Sequence, residues 1–259
     1  MKASDNRLAG HVKSHVENGI AVIEFFHPSH NSLPGRLLAE LREAITAAGK
    51  NPEVAVIVLQ SGGERTFCAG ASFEELISIE DEDSGRRFFM GFAGVINACR
   101  KCPRLIIGRV QGKAVGGGVG IASAVDYCIA TQNAAVKLSE LVVGIGPFVV
   151  GPAVQRKIGA AAFAQLSINA SQFQSAQWAK EKGLYYEIHE TLEAVDQAVM
   201  ALATNLVNSN PEAQRLLKAN LWEGTGHWDE LLEERAAISG RLVLSEYTKK
   251  TLARFAQQQ

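Results

Sequence analysis

VQGKAVGGGVGIASAVDYCIA, residues 110–130, is the stretch whose reading decides the fold. It leaves an apolar strand at 105–110, turns through glycines, enters an apolar helix at 119–125 and exits into a short strand at 126–130. Glycine lets a ligand approach the backbone closely. A helix that starts on such a turn offers unpaired N–H donors and the positive end of its dipole. Working outward, 19–25 (GIAVIEF) and 54–60 (VAVIVLQ) read as short buried strands, and 135–138 as another. Helical spacing appears at 37–48, with Leu37, Leu38, Leu41, Ile45 and Ala48 on one face. It appears again at 72–79 and 85–98. Strands alternating with helices, the strands apolar on both faces, make this an α/β chain.

Beyond Gly146 the pattern changes. Segments 148–158, 160–168, 174–182, 192–208, 211–221, 228–239 and 244–257 read as helices, and only 184–188 is strand-like. The chain therefore divides into a core, 1–208, and a helical tail, 209–259, with no low-complexity linker between them. Leu242, Val243, Leu252 and Phe255 give the last helix too much apolar surface for a free arm, so it reads as an oligomer contact.

With 259 residues, the chain is one large domain or one domain with an appendage. Lys plus Arg number 26 and Asp plus Glu 27, so no basic excess points to nucleic acid. The opening, 1–10, is polar and reads as neither a secretory signal nor a membrane anchor. The four cysteines form no disulfide framework at this length, which fits a cytoplasmic setting.

Three motifs carry candidate chemistry. Thr66-Phe67-Cys68-Ala69-Gly70-Ala71-Ser72 follows a buried strand, and small residues keep its backbone open. Gln111 to Gly120 repeats that arrangement. Two such turns can aim two N–H groups at one oxygen. The third motif is Leu138-Ser139-Glu140-Leu141, followed by Gly144-Ile145-Gly146-Pro147. A carboxylate among apolar residues has its pKa raised and becomes a proton carrier near neutrality.

Other features have bland readings. The triple glycine fails the dinucleotide pattern G-x-G-x-x-G, because Ile121 stands at the last position. A purely structural glycine turn is the other reading. Cys99 and Cys102 form a C-x-x-C without the second pair that zinc needs, so both read as ordinary thiols. His11 and His15 lie in a polar segment and lack metal spacing with a carboxylate partner. Glu80-Asp81-Glu82-Asp83 reads as a solvated, mobile loop. Lys249 and Lys250 read as a wet helix face.

The segments 27–33 (HPSHNSL), 67–76 (FCAGASFEEL), 110–130 and 137–147 (KLSELVVGIGP), in this order and with the helical tail, resemble the crotonase superfamily, the enoyl-CoA hydratase/isomerase family. The resemblance implies a right-handed spiral of ββα turns with a C-terminal helical trimerisation region, as homotrimers or homohexamers. It implies an acyl-CoA thioester as substrate, in fatty-acid or lipid metabolism, with no metal, redox cofactor, nucleic acid or membrane. The backbone N–H groups of Ala71 and Gly117 would hold the thioester oxygen, and Glu140 would move the proton. His30, Cys68, Ala69, Gly70, Ser72, Gly116, Gly120 and Pro147 would surround the bound thioester. His30 sits where the family contacts the CoA nucleotide, with Arg36 and Lys101 as candidate cations, and Phe88, Phe89 and Phe92 border the acyl site or fill the core.

The sequence departs from the family at one place. Hydratases of the two-glutamate type carry a glutamate just after the triple glycine, and this chain has Gly120 there. Hydration of a 2-enoyl-CoA by Glu140 alone is the leading expectation. A Δ3-to-Δ2 enoyl-CoA isomerase and a catalytically silent acyl-CoA-binding protein are the alternatives. The GGGVG-plus-SE pattern resembles methylglutaconyl-CoA hydratases, whose substrate needs a cation for its distal carboxylate.

Overall fold

The computed structural model describes residues 9–256. The polar opening at 1–8 and the end of the last helix at 257 lie outside them. Strand β1 (His11–Glu17) pairs antiparallel with β2 (Ile20–Phe26). The two-residue turn is Asn18-Gly19, both at positive φ (49° and 80°), the geometry that matches strand twist in a tight hairpin. The polar segment read around His11 and His15 is thus an edge strand. Its alternation puts His11 and His15 on one face, and His11 stands 3.6 Å from Glu24.

Short β3 (Ser32–Leu33) leads into α1 (Gly35–Lys50). Then come β4 (Val56–Ser61), β5 (Thr66–Cys68), β6 (Gly70–Ala71), α2 (Phe73–Ile77) and α3 (Glu82–Lys101). The next turn is β7 (Leu105–Val110), β8 (Lys113–Val115) and α4 (Gly117–Ala124), followed by β9 (Tyr127–Thr131) and β10 (Val136–Lys137). Successive turns lay one strand in a six-stranded sheet, β1-β2-β4-β7-β9-β11, and one in a small sheet, β10-β8-β5. Here β11 is Glu187–His189, reached through α5 (Gly151–Ile168) and α6 (Ala176–Glu181). Apart from β1 the large sheet is parallel. This is the spiral of ββα turns. Gly159, at φ 78°, breaks α5 between the two helices read at 148–158 and 160–168.

A parallel sheet must be covered on both faces. One face of Val56, Val58, Ile107 and Ile129 buries against α7 (Leu192–Val207) through Val195, Val199 and Ala203. The other face joins the main core with α1, α3 and α4.

The tail comprises α8 (Pro211–Leu221), α9 (Trp228–Val243) and α10 (Glu246–Ala256). Gly85 of α3 and Gly240 of α9 touch backbone to backbone. A Cβ on Gly85 would sit 2.7 Å from the Gly240 Cα. That crossing explains why α9 runs through Gly240 to Val243 instead of stopping at 239. Leu242 and Val243 therefore belong to α9. Val243 and Leu252 bury against Ile79 and Ile145 of the same chain. The acidic run caps α3: Asp81 Oδ1 accepts from the Ser84 N–H at 2.6 Å, and the helix starts at Glu82. That contact and the side-chain hydrogen bond from Ser84 hold the Asp81 carboxyl below the usual range. Among the described residues no helix is long and apolar enough to cross a membrane.

One buried polar cluster ties α8 to the sheet. Asp126 accepts from Lys218 Nζ at 2.6 Å, the Trp222 indole at 3.0 Å and the Ile106 N–H at 2.8 Å. Lys218 is only 2% exposed. Removing one partner of a buried pair leaves the other charge uncompensated. Asp126→Ala should lower unfolding free energy by about 3–5 kcal/mol in urea titrations, whereas a Lys250→Ala change at the exposed pair with Glu246 should cost about 1 kcal/mol or less.

Candidate active site

Two turns of the spiral meet at one corner. Strand β6 pairs with β3, and the Ser72 N–H donates to the Leu33 carbonyl at 3.1 Å. Alternation along a strand then turns the Ala71 N–H away from β3. On the other side Gly116 is the N-cap of α4, at φ 53° and ψ −117°, a conformation open to glycine. Its N–H donates to the Lys137 carbonyl at 2.8 Å, and its carbonyl accepts from Val119 and Gly120. Gly117 is the first residue of α4, so its N–H has no intrahelical acceptor. A Cβ on Gly70 would sit 3.6 Å from the Gly117 nitrogen, which places β6 directly beside this helix start.

Glu140 closes the corner. It lies in the loop after β10, where the Ile145 N–H donates to the Glu140 carbonyl at 3.0 Å. Its Oε1 would stand 3.1 Å from a Cβ on Gly116, so the carboxylate rests on the glycine turn. The residue as a whole is partly exposed, but Oε2 is sealed from solvent and has no hydrogen-bond partner. Burial pushes the carboxyl up to about 7, against a smaller lowering by its own backbone N–H. The loop is held from the tail, where Thr248 Oγ1 of α10 donates to the Gly144 carbonyl at 3.3 Å.

These groups face one cavity of about 710 Å³. Of the residues expected at the site, Ala71, Gly117, Glu140, His30, Ala69, Gly70, Ser72, Gly116 and Pro147 line it. Cys68 and Gly120 do not. Cys68 is fully buried beneath the loop, takes the Gly70 N–H on Sγ at 3.4 Å, and burial pushes its thiol up to about 12. Gly120 itself is kept off the cavity surface, and a Cβ there would meet Val150 Cγ1 at 2.5 Å. Val150, which the sequence did not single out, itself lines the cavity, so an apolar wall stands where a second glutamate would need room.

The expected cations are elsewhere. Arg36 is bound to Glu40 at 2.6 Å and to the Ala9 carbonyl, and Lys101 to Asp229 at 2.6 Å. Among the described residues neither Lys nor Arg lines the cavity. Lys249 and Lys250 lie on the exposed face of α10. Phe89 and Phe92 line the cavity, and Phe88 packs edge-on against Phe89. Cys99 and Cys102 are buried free thiols raised by burial. Among the described residues no group of three His, Cys, Asp or Glu can hold a metal ion. The tail adds Ser239, which no sequence signal marks.

Two fixed N–H donors beside an isolated carboxyl can stabilise an oxygen that gains charge while a neighbouring carbon loses a proton. The sequence matches the enoyl-CoA hydratase/isomerase family over residues 15–257, and the chain belongs to that family. It is 25% identical to the peroxisomal Δ(3,5)-Δ(2,4)-dienoyl-CoA isomerase of Arabidopsis thaliana over 226 residues, 81% of this chain and 80% of that one. It is 29% identical to the carnitinyl-CoA dehydratase of Salmonella paratyphi A over 201 residues, 77% and 75% of the two chains. The fold is that of the enoyl-CoA hydratase from Bacillus halodurans, with a TM-score of 0.85, 23% identity and coverage of 94% and 99%.

The raised Glu140 carboxyl has a stability signature. Folded protein keeps the proton up to about pH 7, whereas the unfolded carboxyl loses it from about 4.5. Between those values the native state binds more protons, so stability falls as pH rises. Glu140→Gln removes that penalty. The variant should be more stable than wild type at pH 8 by on the order of 2 kcal/mol, and equal to it below pH 4.5. Denaturant titrations across this range read the difference.

Proposed function

We propose that this chain shifts a proton along a 3-enoyl-CoA thioester, converting it to the 2-enoyl isomer. The observation that carries the reading is Glu140: a desolvated carboxylate with an unpartnered oxygen, resting on the glycine turn and facing the apolar Val150 wall. Ionised Glu140 takes a proton from C2. The electron pair moves onto the thioester oxygen, where the Ala71 and Gly117 N–H groups stabilise the enolate. Protonated Glu140 then returns the proton at C4. One group thus serves as base and acid, and a pKa near 7 suits both halves. The other carboxylate on the cavity, Glu74, is exposed on α2. The kinship to an enzyme named as a dienoyl-CoA isomerase supports the same reading.

Hydration of a 2-enoyl thioester is the second reading, favoured by the relative named as a dehydratase. It asks Glu140 both to position water and to protonate the α-carbon. Among the described residues neither Lys nor Arg lines the cavity to match a distal carboxylate, so the side chains described there give the glutaconyl-type substrate no support.

Addition of 3-hexenoyl-CoA should produce the absorbance of a conjugated thioester, with kcat/KM rising as pH passes through about 7. Glu140→Gln should reduce the rate by about a thousandfold. Loss of conjugated absorbance from crotonyl-CoA, with no isomerisation of 3-hexenoyl-CoA, would decide for hydration. Binding of both thioesters with turnover of neither would mark a binding protein.

A further inference from the structure

The tail reaches the active-site cavity through one polar side chain. Ser239 of α9 is 1% exposed and lines the cavity. Leu76, Phe89, Val143 and Ile145 also line the cavity, and they cluster with Val243 of the same helix α9. Among the described residues the Ser239 hydroxyl makes no hydrogen bond. A serine inside a helix ordinarily bonds back to the carbonyl one turn earlier. An alanine would fit the α3–α9 crossing equally well and bury no polar group.

Its place along the cavity follows from α3. Phe92 meets Gly117, because a Cβ on Gly117 would sit 2.1 Å from Phe92 Cε1. Gly240, next to Ser239, meets Gly85. Seven residues of helix separate Gly85 from Phe92, a rise of about 10 Å. Ser239 therefore stands on the order of 10 Å from the thioester corner, toward the far end of an acyl chain.

We propose that Ser239 is a specificity residue that hydrogen-bonds an oxygen substituent, a ketone or hydroxyl, on the distal part of the acyl chain. The substrate class is then an oxygenated acyl-CoA of medium length or longer, uncharged at that end because among the described residues neither Lys nor Arg lines the cavity. A site built to bond a substrate oxygen discriminates against the chain that lacks it, because its own polar group is then left unpaired. The inference rests on the acyl-thioester reading of the cavity and not on which reaction follows.

The test uses 3-decenoyl-CoA and its 7-, 8- and 9-oxo derivatives. Calorimetric Kd values are measured for wild type and Ser239→Ala, and the readout is the ratio of plain to oxo affinity within each protein. At one of the three positions this ratio should drop about tenfold on going from wild type to Ser239→Ala. A change of less than twofold at all three positions would overturn the proposal. Turnover is followed in parallel. A tenfold drop in the affinity ratio with no turnover of any chain would uphold Ser239 and count against the isomerase reading alone.

Discussion

The site depends on one close approach: the Glu140 carboxylate lies against the turn at Gly116, whose φ of 53° favours glycine. The same close approach produces both halves of the chemistry. It bares the start of α4, so that the Gly117 N–H is open to a ligand. It also strips solvent from the carboxylate, so that Oε2 is left without a partner. The start of α4 and the Glu140 carboxylate are consequently one packed unit. The small sheet fixes it from below, through the Gly116 N–H bonded to the Lys137 carbonyl.

Two effects act on the Glu140 carboxyl in opposite directions. The start of α4 lies close by, and a helix N-terminus favours a negative charge by about 0.3–1 kcal/mol, less than one pKa unit. Burial disfavours that charge and can move a carboxyl by several units. Burial dominates, and the net result is a carboxyl near 7. Val150 lines the same cavity, and its methyl group fills the space that a side chain at position 120 would take.

Much of this was legible in the sequence, for identifiable reasons. The spiral's long strands are continuous apolar runs, and the three short motifs fall where successive turns stack. Glu140 stood out because it is flanked by apolar residues and glycines. Other features left no readable mark. Strands β3, β5 and β6 have two or three residues, too few to show a period. Strand β1 was hidden because an edge strand keeps its polar side chains wet, although Asn18-Gly19 was a hairpin signal. Gly240 looks like a helix stop in sequence. In the fold it is the crossing point with Gly85, and only the partner backbone reveals that. Cys68 and Gly120 sit inside the right motifs, but the direction in which each side faces is set by tertiary packing.

The division between core and tail at residues 208 and 209 is a change of pattern at the turn between α7 and α8. It is not a division of labour. Thr248 on α10 bonds the Gly144 carbonyl, four residues from Glu140, and Leu252 packs on Ile145 in the same loop. Ser239 on α9 stands in the cavity wall. Val243 and Leu252 of the tail are covered by the chain's own α2, α3 and Glu140 loop, whereas Leu216, Leu217, Leu221 and Tyr247 are exposed. The core carries Ala71 and Gly117, and the tail holds the loop that carries Glu140. The loop's own turns hold it as well, through the Val142, Gly144 and Ile145 N–H groups bonded to the Ser139, Leu141 and Glu140 carbonyls, so the α10 contacts orient an already folded loop.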